Sequence, residues 1–423
     1  MIAPPVVSFQ ARRVARLSRP AEAYDRSLRL RVGLAWGLVF LNVLTFYKGT
    51  WNGLPLIVPI PSKVGQLITQ GSLPAAVFVA WSANRRLLIR PNVFLSLLTL
   101  MLIEALLSGI QPAGHIIGTL YRTVRLGEFV AVLWLLSPWF DRRDLLLVKC
   151  QLKALGAVIG SVLLGLVVSP HRARAGGRLS GEFWPITPVQ VADFSAVALG
   201  LVVVLWFCGK LPGRRTLAAV AVLAIVLVMT HTRTEVVALM AGLLVAGLSM
   251  FAARARVRRL FASVGLTVSV TIIAFSSVLT TWLARGQNSQ ELTEFSGRTT
   301  IWATVLNTPR DWFQMILGFG LSNNSSNGLP IDGNWLAAYQ DLGLVGVTLC
   351  AAMLLFVLIR AYFQPRSERR ALALFLVTYL LVTSFTETGL SDASVYLLEL
   401  ALAASLLVTP AADKAWYESP AGP

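Results

Sequence analysis

Residues 216–253 read TLAAVAVLAIVLVMTHTRTEVVALMAGLLVAGLSMFAA. Two apolar runs flank one short polar turn, Met229-Thr230-His231-Thr232-Arg233-Thr234-Glu235. A helix needs about 20 mostly apolar residues to cross the hydrocarbon core of a bilayer, and runs of this kind recur from residue 31 to residue 408. Over all 423 residues, 56% are hydrophobic and only 13% charged, whereas soluble proteins carry roughly 25% charge. One water-soluble core cannot bury so much apolar surface in a chain of this length. The expected fold is an all-α polytopic membrane protein with about twelve transmembrane helices, forming a single membrane domain over residues 1–423.

The expected spans are 31–47, 64–82, 92–110, 119–139, 149–168, 189–208, 216–231, 234–253, 260–283, 336–360, 371–387 and 393–409. The net charge of +17 raises nucleic acid as a partner, but its distribution has a simpler cause. With the N-terminus inside, 26 of the 37 Lys and Arg residues fall on the inner side, as the positive-inside rule requires. Both termini are then cytoplasmic, with tails at 1–30 and 410–423, and no nucleic-acid partner is implied. Residues 1–30 lack the features of a cleavable signal peptide. Two outer connections are long, 169–188 and 284–335, the latter between spans nine and ten. Trp302, Trp312 and Trp335 in the larger loop suggest that it folds back onto the bilayer surface. Cys150, Cys208 and Cys350, an odd number within or at the ends of apolar segments, read as small hydrophobes.

Eleven basic residues escape the inside rule, and nine of them are arginines. The guanidinium fork suits phosphate and carboxylate oxygens in a way that a lysine point charge does not. Outward arginines above a membrane bundle therefore suit an anionic, lipid-anchored substrate. Arg233 sits in the tight turn, where a charge is costly unless paired or functional, and Glu235 is a possible partner. Arg122, Arg125 and Glu128 share one helix face, as either an ion-pair ladder or a substrate-facing wall. Arg310 reads as an ordinary loop charge. His115, His171 and His231 lack metal-ligand spacing, so no metal site is expected. His231 stands close enough to Arg233 to be a reserve general base.

Three outer segments together resemble the O-antigen ligase and polymerase superfamily of membrane glycosyltransferases. The first is Gly177-Arg178-Leu179-Ser180-Gly181-Glu182-Phe183-Trp184-Pro185. The second is Thr230-His231-Thr232-Arg233-Thr234. The third runs from Ser296-Gly297-Arg298 through Gly318-Phe319-Gly320 to Asp332-Gly333-Asn334-Trp335-Leu336 and Gly343-Leu344-Val345-Gly346. The resemblance implies a bacterial cytoplasmic-membrane enzyme with its active site facing outward. Its partners would be a polyprenyl-pyrophosphate-linked glycan donor, a glycan or lipid acceptor and the membrane lipids, and it would use no cofactor. Arg178 and Arg233 would hold the pyrophosphate, and Arg298, Arg122, Arg125, His231 and Asn334 would line the substrate. Counting back from Gly343 and Gly346 places Asp332 where the ligases carry histidine. That departure favours a polymerase over a ligase and leaves Asp332 either facing the acceptor hydroxyl or capping a helix.

Two other readings compete. A transferase using polyprenyl-phosphate sugars would place an acidic pair in the first outer loop, but residues 48–62 contain no Asp or Glu. A transporter or flippase of lipid-linked glycans would show matching halves and charged sites near mid-bilayer. No halves match, and Glu104, Asp193 and Glu399 are the few mid-span charges.

Overall fold

In the computed structural model, the described residues are 9–44, 56–58, 60–109, 116–140, 144–251, 257–259, 298–321, 325–326 and 329–408. A helix overlies every expected span except 260–283, which lies outside the described residues. Helices α1 (Phe9–Val43), α2 (Ser62–Ala83), α3 (Val93–Ser108) and α4 (Ile116–Leu136) come first. Next are α5 (Leu146–Val168), the single turn α6 (Pro170–Ala173), α7 (Pro188–Phe207), α8 (Gly213–Met229) and α9 (Arg233–Phe251). The segment before residue 334 supplies α10 (Arg298–Asn307) and α11 (Trp312–Leu317), and the chain continues with α12 (Asn334–Phe363), α13 (Glu368–Thr383) and α14 (Val395–Ser405). Four of these, α5, α7, α9 and α12, are long and apolar enough to cross a membrane. Among the described residues the only strands are Ser325–Ser326 and Leu329–Pro330, paired antiparallel.

Polar side chains mark where helices begin. Asn92, Ser367 and Ser394 each accept a backbone N–H of the helix they precede. Thr187 and Gln190 form a reciprocal capping box at the start of α7, with Pro188 in the first turn. Such caps satisfy donors that the helix cannot pair internally, each contributing about 1 kcal/mol. The bundle core lies where α7, α9 and α13 meet. There Phe375 fills a gap left by two glycines: a Cβ at Gly200 would stand 1.8 Å from its ring, and one at Gly242 would stand 2.9 Å away. The three cysteines are free thiols, with Cys208 and Cys350 buried.

Glycine also explains how the segment carrying α10 and α11 docks. Gly343 interrupts α12 at φ 60°, a region that L side chains avoid. The break frees two carbonyls, and Phe319 N–H donates to Gln340 O at 3.0 Å while Gly320 N–H donates to Asp341 O at 2.9 Å. Gly318 approaches so closely that a Cβ there would lie 2.4 Å from Asp341 O. The Gly318-Phe319-Gly320 and Gly343 positions thus join backbone to backbone. A small second core of Val305, Ile331 and Ala337 seals the junction.

The tryptophans in and beside this segment differ in their surroundings. Trp302 Nε1 donates to Asp332 O at 2.8 Å and Trp335 Nε1 to Ser384 Oγ at 3.1 Å, so both indole N–H groups are spent inside the protein. Trp312 is 71% exposed.

Candidate active site

The site starts from the turn between α8 and α9. Thr230 Oγ1 donates to Leu227 O at 2.6 Å, and His231 reverses the chain at φ 53°. The segment carrying Arg178 is sutured to this turn. Leu179 N–H donates to Met229 O at 3.0 Å, Arg178 Nε–H to Thr230 O at 2.9 Å and its terminal nitrogen to Thr232 Oγ1 at 3.1 Å. Arg178 and Arg233, 55 positions apart in the chain, therefore stand on one turn. Gly181 permits the tight return of the loop, since a Cβ there would meet Trp184 O at 2.4 Å.

Arg233 is the first residue of the 19-residue α9. The start of a helix carries a partial positive charge, so this position and the Arg233 guanidinium both favour an anion. Burial lowers the pKa of the Arg178 guanidinium, and the nearby Glu387 opposes that shift. Two cations, a helix start and three hydroxyl-bearing threonines form a setting suited to phosphate oxygens. In the same loop Glu182 is fully buried. Desolvation raises its carboxyl pKa, with Arg172 pulling the other way.

Asp332 is half-buried just before the start of α12. Gly333, at φ 135°, occupies the cap position of α12, with no side chain capping the helix. Asn334 is buried and clasped from two sides of the 384–394 loop. Its N–H donates to Ser384 O at 2.9 Å, and its Oδ1 accepts from Leu390 N–H at 2.6 Å. Expected to line the substrate, Asn334 instead anchors the start of α12. Glu387 lies between those two anchors and is within electrostatic reach of Arg178. The 384–394 loop therefore joins the Asp332 corner to the Arg178–Arg233 turn.

Arg122 and Arg125 find a partner that the sequence reading did not consider. Each places a guanidinium nitrogen 3.5 Å from Asp392 Oδ2. Arg125 also donates to Asn42 Oδ1 at 3.0 Å and to Ala393 O at 2.8 Å. The pair secures the final loop to α4 and α1, and the ladder with Glu128 gives way to Asp392. Glu235 points into the bundle, where it accepts from the Tyr379 hydroxyl. Of the remaining expected residues, His231 is half-buried in the turn and Arg298 opens α10, with its side chain outside the described residues. His115 also lies outside the described residues, and His171 is exposed.

The residues that sequence reasoning missed are Glu387 and Asp392. Both lie in a connection too short to draw attention. The available signal was that Thr386-Glu387-Thr388 and Ser391-Asp392 are acidic and polar steps between two apolar spans.

Residues 217–340 match the family model of the O-antigen ligases. This stretch carries the O-antigen ligase signature. It contains the Arg233 turn, helices α10 and α11 and Asp332, and it supports the O-antigen ligase and polymerase superfamily for this chain. The match also supports a bacterial membrane enzyme of the glycosyltransferase kind, acting on lipid-linked glycan and acceptor substrates. No curated protein matches the chain.

Arg310 differs from the loop charge expected of it. Its guanidinium donates to Val305 O at 3.1 Å, Tyr339 O at 3.3 Å and Gln340 Oε1 at 2.7 Å. It also lies 4.2 Å from the Tyr339 ring centroid. Charge-assisted bonds of this kind contribute about 1.5–3 kcal/mol, and stacking on an aromatic face adds to them. Arg310→Ala should therefore lower the thermal midpoint in detergent, by the equivalent of about 2 kcal/mol. Arg310→Lys should recover only part of it, because lysine has no planar fork. A midpoint unchanged in both variants would show the clamp to be idle.

Proposed function

We infer that this protein transfers a glycan from undecaprenyl pyrophosphate to a sugar hydroxyl at the outer face of the cytoplasmic membrane. The observation that carries this reading is the suture of Arg178 to the turn bearing Arg233, which sets two guanidinium groups at one helix start. The acceptor hydroxyl oxygen attacks the anomeric carbon, and the bond from that carbon to the pyrophosphate oxygen breaks with inversion. The electron pair leaves with the polyprenyl pyrophosphate, and the hydroxyl proton passes to a nearby base. Asp332 takes that role. Arg233, with Arg178 behind it and Arg298 as the next candidate, neutralises the charge that builds on the leaving group. The leaving group is already activated, so arginines and positioning suffice and no metal ion is required.

A polymerase is favoured over a ligase because Asp332, and not histidine, precedes the Gly343-Leu344-Val345-Gly346 segment. The ligase reading, transfer to a lipid or another acceptor, is the alternative, and the family description supports it. Gel profiles of lipid-linked glycans from a deletion strain distinguish them. Accumulated single repeat units identify a polymerase and long unattached chains a ligase. An unchanged profile would remove both.

The reading requires the Arg233 turn to face outward, with both termini cytoplasmic. Single cysteines in a cysteine-free background should react at Ser326→Cys from outside the cell. Arg256→Cys should react only after permeabilisation. The reverse pattern would place the arginines on the wrong side for an outer-face donor.

A further inference from the structure

Beneath the Arg178–Arg233 turn, four ionisable side chains from four helices converge inside the bundle. Asp193 comes from the second turn of α7, Glu235 from the first turn of α9, Tyr379 from the last turns of α13 and Glu399 from the second turn of α14. Glu235, Tyr379 and Glu399 are each fully buried. The Tyr379 hydroxyl lies within hydrogen-bond distance of both Glu235 Oε2 and Asp193 Oδ1, the latter at 2.8 Å. Glu399 faces Asp193 and Glu235 electrostatically, and neither of its carboxyl oxygens has a hydrogen-bond partner.

Counting hydrogens decides the state of this cluster. A phenol carries one proton and can donate only once. For the Tyr379 oxygen to bond both carboxyls, one of them must itself be protonated and donate back. Glu399 supplies a separate argument. A fully buried carboxylate without a single donor has a desolvation cost far above that of the neutral acid, so this group too requires a proton. Among the described residues, the groups that act electrostatically on Asp193, Glu235 and Glu399 are other acids and Tyr379, not cations. Glu387, the next charge toward the surface, adds to the negative field at Glu235, and Tyr396 on α14 directs its hydroxyl to Leu380 O. Among the described residues no three His, Cys, Asp or Glu side chains are arranged to hold a metal ion.

We propose that Asp193, Glu235 and Glu399 around Tyr379 form a buried proton-binding site that holds at least two protons at neutral pH. The bound protons leave at most one negative charge in the bundle beneath Arg178 and Arg233, so less of the field of those arginines is drawn inward. That consequence rests on the anionic donor assigned above, whereas the site itself does not.

The test is infrared spectroscopy of the full-length protein in detergent, which separates protonated carboxylic acids from carboxylates by their carbonyl stretch. Between about pH 6 and 9, well above the usual carboxylate range near 4, a protonated band should persist and shift on carbon-13 labelling of Asp and Glu. Glu399→Gln should remove part of that band and leave the thermal midpoint unchanged, because Gln copies a neutral acid in shape and charge. Tyr379→Phe should move the remaining band to the frequency of an acid without a hydrogen bond. Absence of the band, a Glu399→Gln variant that unfolds, or a band indifferent to Tyr379→Phe would each overturn the proposal. None of these readouts needs a glycan donor, so the site can stand where the glycosyltransferase reading fails, and the reverse.

Discussion

Arg233→Lys should lose turnover as severely as Arg233→Ala, by about 10²-fold or more. Lysine keeps the charge but loses the planar fork that meets two phosphate oxygens at once. The position sharpens the expectation, since Arg233 is the first residue of α9 and any anion bound there also meets the helix start. Arg178 should respond differently. Its Nε and terminal nitrogen are engaged by Thr230 O and Thr232 Oγ1, so Arg178→Lys should loosen the turn and lower thermal stability together with activity. Turnover of a lipid-linked glycan in detergent, read beside the thermal midpoint, separates the two. An Arg233→Lys protein with most of its activity would rule out bidentate phosphate contact at this residue.

Asp332→Asn should cost about 10²–10⁴-fold in rate, the usual contribution of a positioned general base, with an unchanged thermal midpoint. The sequence left this residue between two roles, hydroxyl-facing carboxylate and helix cap. Gly333 occupies the cap position of α12 without a side-chain bond, so Asp332→Ala removes no helix cap. The backbone carbonyl of Asp332, which receives the Trp302 indole, survives both substitutions. Asp332→His should retain some activity, with a pH–rate profile moved toward the imidazole range near 6.5. Full activity in Asp332→Asn would transfer the role elsewhere. Glu387, beside Arg178, and His231 in the turn are then the residues to substitute.

Much of this was legible in the sequence because it depends on local composition. Apolar length sets which segments can be membrane helices, and a helix overlies each expected span among the described residues. Charge at a turn is a local signal too, which is why Arg233 could be singled out without its partners, whereas Arg178 stood out only through the family resemblance. Gly318, Gly320 and Gly343 were visible as a pattern, but their purpose was not. Only the packed backbone shows Gly318 and Gly343 in contact, with the freed carbonyls of α12 taken up by Phe319 and Gly320.

By itself, then, the sequence determined an all-helical membrane chain, the turn that bears Arg233 and the family signature over residues 217–340. The tertiary structure alone decided which charge meets which. Arg125 reaches Asp392 and Ala393 across more than 260 residues. Arg310 closes on Tyr339 and Gln340, and Glu235 turns from its sequence neighbour Arg233 to Tyr379 on another helix. The physical reason lies in how helices present side chains. Periodicity says which residues share a face, but the partner of that face is chosen by the packing of helices distant in sequence. Inside a bundle, where an unpaired charge is expensive, that choice settles whether a polar residue serves as an anchor, a substrate ligand or a holder of protons.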